Sequence, residues 1–148
     1  MRRKAFGLTL GAALLCLPGA AVLAQKAPDP MLGVWRVSGQ NVIDCMLSTP
    51  SGTLEVLSPT GDGAYAVRLA TSWRREALPN CPPPEDPAGE MNAEGTLRRA
   101  GSRVTLEVVF PDGARGGPWT YELEQGGTAM RFVCPQCIKT TFRWERSR

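Results

Sequence analysis

Apolar and polar residues alternate along most of the chain beyond residue 30, and this alternation predicts β-strands. The clearest case is 65–74, whose odd-numbered residues are mostly apolar or aromatic and whose even-numbered residues are polar or small. A period of two over these ten residues indicates one buried side and one solvent-facing side. No segment beyond residue 24 has a convincing helical period. The same alternation recurs over 33–37, 104–110, 119–124 and 138–145.

Short turn signals separate these predicted strands. Gly61-Asp62-Gly63, Pro111-Asp112-Gly113 and Gln125-Gly126-Gly127 are built from residues that favour tight turns. An antiparallel meander of eight or nine such strands tends to close, because closure removes the unpaired strand edges. The sequence therefore predicts an all-β fold, a single antiparallel meander β-barrel of about eight strands.

One segment, 79–95, interrupts the alternation. Its first half is rich in proline, including the run Pro82-Pro83-Pro84. Proline lacks a backbone donor and is excluded from central strands and helix interiors. The sequence therefore predicts a long loop over 79–95, and long loops in compact domains are often functional.

The first 24 residues predict export. A positive start, Met1-Arg2-Arg3-Lys4, precedes an apolar run that ends in small residues before Gln25. This is the pattern of a secretory signal peptide that is cleaved; a retained anchor and a lipoprotein modified at Cys16 are the alternatives. We expect a signal peptide over 1–24, a barrel domain over 25–148, and a periplasmic or secreted protein with no integral membrane span after processing.

Charge and composition exclude several function classes. The 17 Lys and Arg residues exceed the 14 Asp and Glu residues by three, and Arg2, Arg3 and Lys4 would leave with the signal peptide. A formally neutral mature chain gives no reason to expect nucleic acid as a partner. The chain has no histidine, which excludes Ser-His-Asp and Cys-His catalysis and His-ligated metals. We expect a protein that is not an enzyme, with no cofactor and no metal.

Four cysteines remain once Cys16 is removed with the signal. An even number in a small exported domain predicts two disulfide bonds, with three possible pairings. A local bond across the turn between Cys134 and Cys137 favours the pairing that also joins Cys45 to Cys81. The alternatives are a zinc site built from the four thiolates and a redox-active Cys134-x-x-Cys137 pair, although the redox pair normally lies at a helix N-terminus.

Gly33-Val34-Trp35 at the head of the first predicted strand resembles the Gly-x-Trp signature of lipocalin-like (calycin) barrels. In that family the tryptophan closes the base of the barrel, and an arginine near the end of the last strand stacks on it. The resemblance implies a barrel-closing role for Trp35, with Arg143 or Arg146 as its partner through a cation–π contact.

The chain also resembles the small periplasmic protease inhibitors built on the same kind of barrel. They begin with Gly-x-Trp after a signal peptide and carry a disulfide bond from an early strand to the loop after the next hairpin, as Cys45 and Cys81 could. In that family the N-terminal tail enters the protease cleft. The resemblance implies the same role here for 25–31.

Aromatic residues connect the predicted barrel to a function. An eight-stranded barrel is either filled by side chains or holds one small ligand, and the aromatic residues on its inner side could do either. The leading hypothesis is an exported binding protein for a small apolar or amphipathic ligand, with Tyr65, Trp73 and Trp119 as candidate ligand-binding residues near a mouth covered in part by 79–95. The alternative is a protein partner, most concretely a protease bound in the inhibitor manner.

Overall fold

The computed structural model describes residues 27–124 and 126–148, and these residues form a closed antiparallel β-barrel. The predicted signal peptide, 1–24, lies outside the described residues. The strands of the described part are β1 (Gly33–Ser38), β2 (Asn41–Ile43), β3 (Met46–Gly61), β4 (Ala64–Ala77), β5 (Ala88–Ala100), β6 (Arg103–Val109), β7 (Arg115–Leu123), β8 (Ala129–Val133), β9 (Lys139–Thr140) and β10 (Arg143–Arg146).

Eight of these strands make up the barrel wall. The order around the barrel is β1, β3, β4, β5, β6, β7, β8 and β10, and β1 closes it by pairing with both β3 and β10. Every pairing is antiparallel, and the short strands β2 and β9 extend the sheet beyond one end of β3. The eight-stranded meander predicted from the alternation of residues is confirmed.

The core follows the predicted alternation. On β4, Tyr65, Val67 and Leu69 are buried, whereas Arg68 and Ala70 between them are exposed. Each of the eight barrel strands contributes apolar side chains to the interior in this way, because successive side chains point to opposite faces of a sheet. The most deeply buried side chains are Met31, Trp35, Leu54, Val67, Leu69, Leu97, Val104, Leu106, Val108, Met130 and Trp144.

One end of the barrel is closed by the turn that precedes β1. Trp35 is fully buried, and its indole Nε1 donates to the carbonyl oxygen of Met31 at 2.9 Å. Arg146 lies opposite Trp35 in the β1–β10 register and donates to the carbonyl oxygen of Leu32 at 2.9 Å. Met31 is also fully buried, so this turn seals the interior from one side.

Asp29 fixes the same turn through both of its carboxylate oxygens. The Tyr65 hydroxyl donates to Oδ2 at 2.9 Å, and the backbone N–H of Met31 donates to Oδ1 at 2.9 Å. Burial, reinforced by the hydrogen bond to Asp29, raises the pKa of Tyr65 above its ordinary value. The closed end is therefore held by polar contacts as well as by packing.

Both favoured disulfide bonds are present. Cys45 is bonded to Cys81, with their Cα atoms 5.6 Å apart, and Cys134 is bonded to Cys137, with their Cα atoms 5.3 Å apart. The first bond ties the loop between β4 and β5 to the turn between β2 and β3. The thiolates that a zinc site would need are therefore absent at these four positions.

The Pro-rich loop is shorter than the predicted 79–95. β5 begins at Ala88, and the stretch from Ala88 to Gly95 pairs with β4 from Arg74 to Val67. The proline run does end the strand pattern, but after Pro87 the residues Met91 and Ala93 alternate with polar neighbours, a pattern that the nearby glycines obscure. The loop thus covers 78–87.

The last predicted strand is interrupted. Instead of one strand from Ile138 to Trp144, the chain forms β9 and β10 with a break at Thr141 and Phe142. At the break the chain changes its pairing partner: the N–H of Thr141 donates to the carbonyl of Gln40 beside β2, and the carbonyl of Phe142 accepts from the N–H of Phe132 on β8. Ile138, which precedes β9, is 72% exposed rather than buried.

Candidate functional site

A cavity of about 260 Å³ opens at the end of the barrel opposite Trp35. It lies where β3 and β4 approach the Cys45–Cys81 bond, and its floor is formed by side chains that include Leu69 and Leu106. The barrel interior is therefore filled at the closed end and hollow at the open end. Its lining is contributed by Asn41, Ser48, Pro50, Leu69, Thr71, Ser72, Trp73, Arg75, Met91, Leu106, Trp119, Tyr121, Phe132, Phe142 and Trp144.

One wall of the cavity is a continuous aromatic cluster from β7, β8 and the β10 region. The ring centroids of Tyr121 and Phe132 are 5.4 Å apart, and those of Phe132 and Phe142 are 5.3 Å apart. Phe142 meets Trp144 edge to face at 5.8 Å. These separations are typical of favourable aromatic pairs, and the wall presents apolar surface to the cavity.

The opposite wall is built around Trp73 on β4. A Cβ atom at Gly89, its partner on β5, would lie 2.3 Å from Cζ2 of the Trp73 ring. The glycine therefore leaves the space that the indole occupies. Gly116 plays a similar part for Trp119, because a Cβ atom there would lie 2.9 Å from the end of that ring.

Three polar atoms in these walls are buried without a hydrogen-bond partner within the described part of the chain. They are Oγ1 of Thr71, Nε1 of Trp73 and Nε1 of Trp144. The Trp144 indole N–H lies near the Tyr121 hydroxyl and lowers the pKa of Tyr121, but its geometry is not that of a hydrogen bond. Buried polar groups normally have partners, so these three atoms are unusual among the residues that line the cavity.

The cavity is apolar enough to disfavour a charged phenolate. Burial raises the pKa of Tyr121 to about 12, with the neighbouring Trp144 opposing the shift. Tyr121 is 4% exposed and stays neutral at physiological pH. The ring therefore offers a hydroxyl and an apolar face, and it carries no charge.

Arg75 carries the positive charge at the rim. Its guanidinium carbon lies 5.3 Å from the centroid of the Trp73 ring, a cation–π contact. The lining of the cavity includes no acidic residue, and the ion pairs among the described residues involve Arg68 and Arg143 but not Arg75. Among the described residues that line the cavity, Arg75 is therefore the charged one.

The structure brings two of the three predicted ligand-binding residues together. Trp73 and Trp119 both line the cavity. Tyr65 does not: it lies at the closed end, where its hydroxyl donates to Asp29. It is near the start of β4, whereas Trp73 is near the end, so alternation put the two side chains on one face without giving their separation along the barrel axis.

The two barrel-closing candidates also separate. Trp35 lies at the closed end as the Gly-x-Trp resemblance implied, but Arg143 lies opposite Ser38 and forms ion pairs with Glu124 and Glu145 on the outer face. Arg146 is the arginine opposite Trp35 in the register. It is two positions from the buried Trp144 and shares its face, whereas Arg143 is one position away and lies on the other face. Arg146 acts through its hydrogen bond to the backbone, and the contacts of the described residues include no cation–π stack on Trp35.

Sequence reasoning did not assign Thr71, Arg75, Tyr121 or Trp144 to the site. For Thr71 and Arg75 a signal was present, because both lie on the same side of β4 as Trp73. Tyr121 and Trp144 come from strands whose position around the barrel only the pairing register defines. In the segment 25–31, for which the resemblance implied entry into a protease cleft, the Asp29 carboxylate accepts from the backbone N–H of Met31, and Met31 is fully buried.

No group of three or more His, Cys, Asp or Glu side chains that could hold a metal ion occurs in 27–124 or 126–148. The same residues contain no helix that is long and apolar enough to cross a membrane. Compared with protein-family models, curated proteins and solved structures, the chain matches none of them.

Proposed function

We propose that this protein is an exported, non-enzymatic binding protein that holds a small amphipathic ligand in the cavity at the open end of its barrel. The observation that carries the proposal is the combination of aromatic walls with three unpartnered polar atoms around one cavity. A hydrophobic surface with a few convergent polar groups is the usual composition of a small-molecule site.

The size of the cavity restricts the ligand. A volume of about 260 Å³ is slightly below the usual range for drug-sized ligands, roughly 300–1,000 Å³. We therefore expect a compact molecule of one or two rings, or a short branched chain, and not a long acyl chain buried along its whole length. The fully packed closed end, where Met31 and Trp35 are inaccessible, supports the same limit.

Two further features support a lipocalin-like binding protein in an oxidising compartment. Gly33-Val34-Trp35 at the closed end agrees with the Gly-x-Trp pattern of lipocalin-like barrels. Two disulfide bonds are typical of exported proteins and rare in the cytosol. With the signal-like segment 1–24, these features favour a periplasmic or secreted location.

The alternative, a protease inhibitor whose tail enters a protease cleft, requires a free segment before β1. Met31 is fully buried, and Asp29 is hydrogen-bonded to Tyr65 and to the backbone of Met31. A tail held in this way would have to leave the barrel before it could enter a cleft. The small-ligand proposal needs no such rearrangement.

Isothermal titration calorimetry with naphthylethanol and naphthylacetate tests the proposal. We expect saturable binding of one molecule per chain by the full protein. Met91→Trp should abolish it, because Met91 lines the cavity and the larger side chain would fill it. The matched control is Leu57→Trp, which adds the same ring at a position that is 43% exposed on the outside. If neither compound bound, or if Met91→Trp bound as well as the control, the proposal would be wrong.

A further inference from the structure

We infer that the ligand of this cavity carries an anionic hydrogen-bond acceptor, in the simplest case a carboxylate, on a compact apolar body. This inference rests on the proposed function and deepens it by naming the chemical class. It follows from two independent properties of the cavity, the kind of polar atom left without a partner and the sign of the charge at the rim.

The unpartnered atoms of the cavity walls are hydrogen-bond donors, so they favour a ligand that carries an acceptor. An indole N–H is a donor only, so the partner of Nε1 on Trp73 and on Trp144 must be an acceptor atom. Both atoms are buried and have no partner within the described residues. The hydroxyl of Thr71, also buried and unpartnered, can donate as well. A pure hydrocarbon would leave all three unsatisfied, which is costly in an apolar site.

The positive charge of Arg75 at the rim favours an anionic ligand. Arg75 lies on the same face of β4 as Trp73 and Thr71, and it lines the cavity. The acidic partners that neutralise Arg68 and Arg143 have no counterpart here: the ion pairs of the described residues leave Arg75 out, and no acid lines the cavity. A guanidinium group binds a carboxylate through charge-assisted hydrogen bonds that are stronger than neutral ones.

The position of Arg75 gives the bound molecule an orientation. Its guanidinium lies over the Trp73 ring, 5.3 Å from the centroid, and the aromatic cluster of Tyr121, Phe132 and Phe142 lines the same cavity. A carboxylate near Arg75 would leave the apolar body against these rings. The two ends of the molecule are thereby recognised by different sets of residues.

Three compounds of matched shape test the inference: naphthylacetate, naphthylethanol and ethylnaphthalene, which carry an anion, a neutral acceptor and no acceptor. Titration calorimetry with the full protein should show naphthylacetate binding about tenfold more tightly than naphthylethanol, a difference that one charge-assisted hydrogen bond can supply. Ethylnaphthalene should bind more weakly than both.

Two arginine variants then assign the preference to its source. Arg75→Gln should weaken naphthylacetate binding about tenfold and weaken naphthylethanol binding by a smaller factor. Arg74→Gln is the matched control, because Arg74 directly precedes Arg75 on β4, is exposed and does not line the cavity. Circular dichroism confirms that each variant is folded.

The outcomes separate this inference from the proposed function. If naphthylethanol bound as tightly as naphthylacetate, or if Arg75→Gln and Arg74→Gln gave the same affinities, the anionic class would be wrong while the binding function stood. If none of the three compounds bound, both proposals would fall. Selective loss of naphthylacetate binding in Arg75→Gln alone would support the assignment.

Discussion

Gly89 on β5 lies opposite Trp73 on β4, and a Cβ atom at position 89 would come within 2.3 Å of Cζ2 of the Trp73 indole. No side chain larger than hydrogen fits there while the indole keeps its place. The position of the Trp73 ring in the cavity wall thus requires glycine at position 89 of the neighbouring strand. The same relationship links Gly116 to Trp119 and Phe110 on the other side of the barrel mouth.

Gly89→Ala should therefore displace Trp73 and damage the cavity. We expect a loss of about 1–3 kcal/mol in the free energy of unfolding, as is usual for overpacking, together with weaker binding of naphthylacetate. Denaturant unfolding and calorimetry measure the two effects. The control is Gly61→Ala, where a Cβ atom would meet nothing within 4 Å, and we expect a change within about 0.5 kcal/mol. Equal effects of the two substitutions would contradict this account of the wall.

Removal of the Asp29 carboxylate should weaken the closed end. Asp29→Ala leaves the Tyr65 hydroxyl and the Met31 N–H without their acceptor, and we expect a cost of about 1–3 kcal/mol in the free energy of unfolding. Asp86→Ala, at an exposed position in the 78–87 loop, serves as the control. In Tyr65→Phe the cost of Asp29→Ala should shrink, and a cycle in which the two substitutions are additive would show that the contact contributes nothing.

The two tyrosines, Tyr65 and Tyr121, should make the protein unstable at alkaline pH. Burial raises the pKa of Tyr121 to about 12, and that of Tyr65 is raised in the same direction. Because the folded state holds the proton more tightly than the unfolded state, the stabilisation is complete below pH 10 and is lost as the pH rises towards 12. For Tyr121 alone the loss is on the order of 3 kcal/mol.

Phenolate absorbance and denaturant unfolding, measured together from neutral pH upward, test this titration. We expect less phenolate at pH 10 in the folded barrel than two free tyrosines would give, and a smaller alkaline loss of stability in Tyr121→Phe than in the native chain. Normal ionisation of both tyrosines in a folded barrel would show that neither ring is shielded as the structure indicates.

The two disulfide bonds should contribute unequally to stability. The Cys45–Cys81 bond closes a loop with a sequence separation of 36, whereas the separation of Cys134 and Cys137 is 3. In the chain-entropy model these values correspond to about 4 and about 2 kcal/mol. Paired Cys→Ser variants, compared by denaturant unfolding, should show the larger loss for the Cys45–Cys81 pair. The reverse order would mean that effects in the native state outweigh the chain entropy.

The barrel could be predicted from the sequence because its strands and turns are encoded by residues that are close together along the chain. Strict alternation on β4 and β6 defines which residues face the core, and turn residues such as those at 61–63 define where strands end. Prediction failed where pairing over a long distance decides the outcome. Gly89 and Gly95 weakened the alternation at the start of β5, yet the pairing with β4 makes this stretch a strand.

The cavity could be predicted only in part, for the same reason. Alternation placed Tyr65 and Trp73 on one face of β4, but it did not show that one end of the barrel would be sealed by Met31 and that Tyr65 would lie there. Alternation from Trp144 favoured Arg146 over Arg143, but only the β1–β10 register shows that Arg146 lies opposite Trp35. Residues meet across a barrel according to register, and register is a property of the whole sheet.

The central claim is that the ligand binds in the cavity at the open end of the barrel, and NMR tests it most directly. The indole N–H signals of the four tryptophans are recorded in a heteronuclear spectrum with and without naphthylacetate. Each signal is assigned through a Trp→Phe variant. The N–H groups of Trp73 and Trp144 are unpartnered at the cavity, whereas that of Trp35 donates to Met31 at the closed end. Binding in the cavity should shift the Trp73 and Trp144 signals and leave the Trp35 signal in place. Unchanged Trp73 and Trp144 signals at saturating ligand, or a Trp35 shift as large as theirs, would contradict the account.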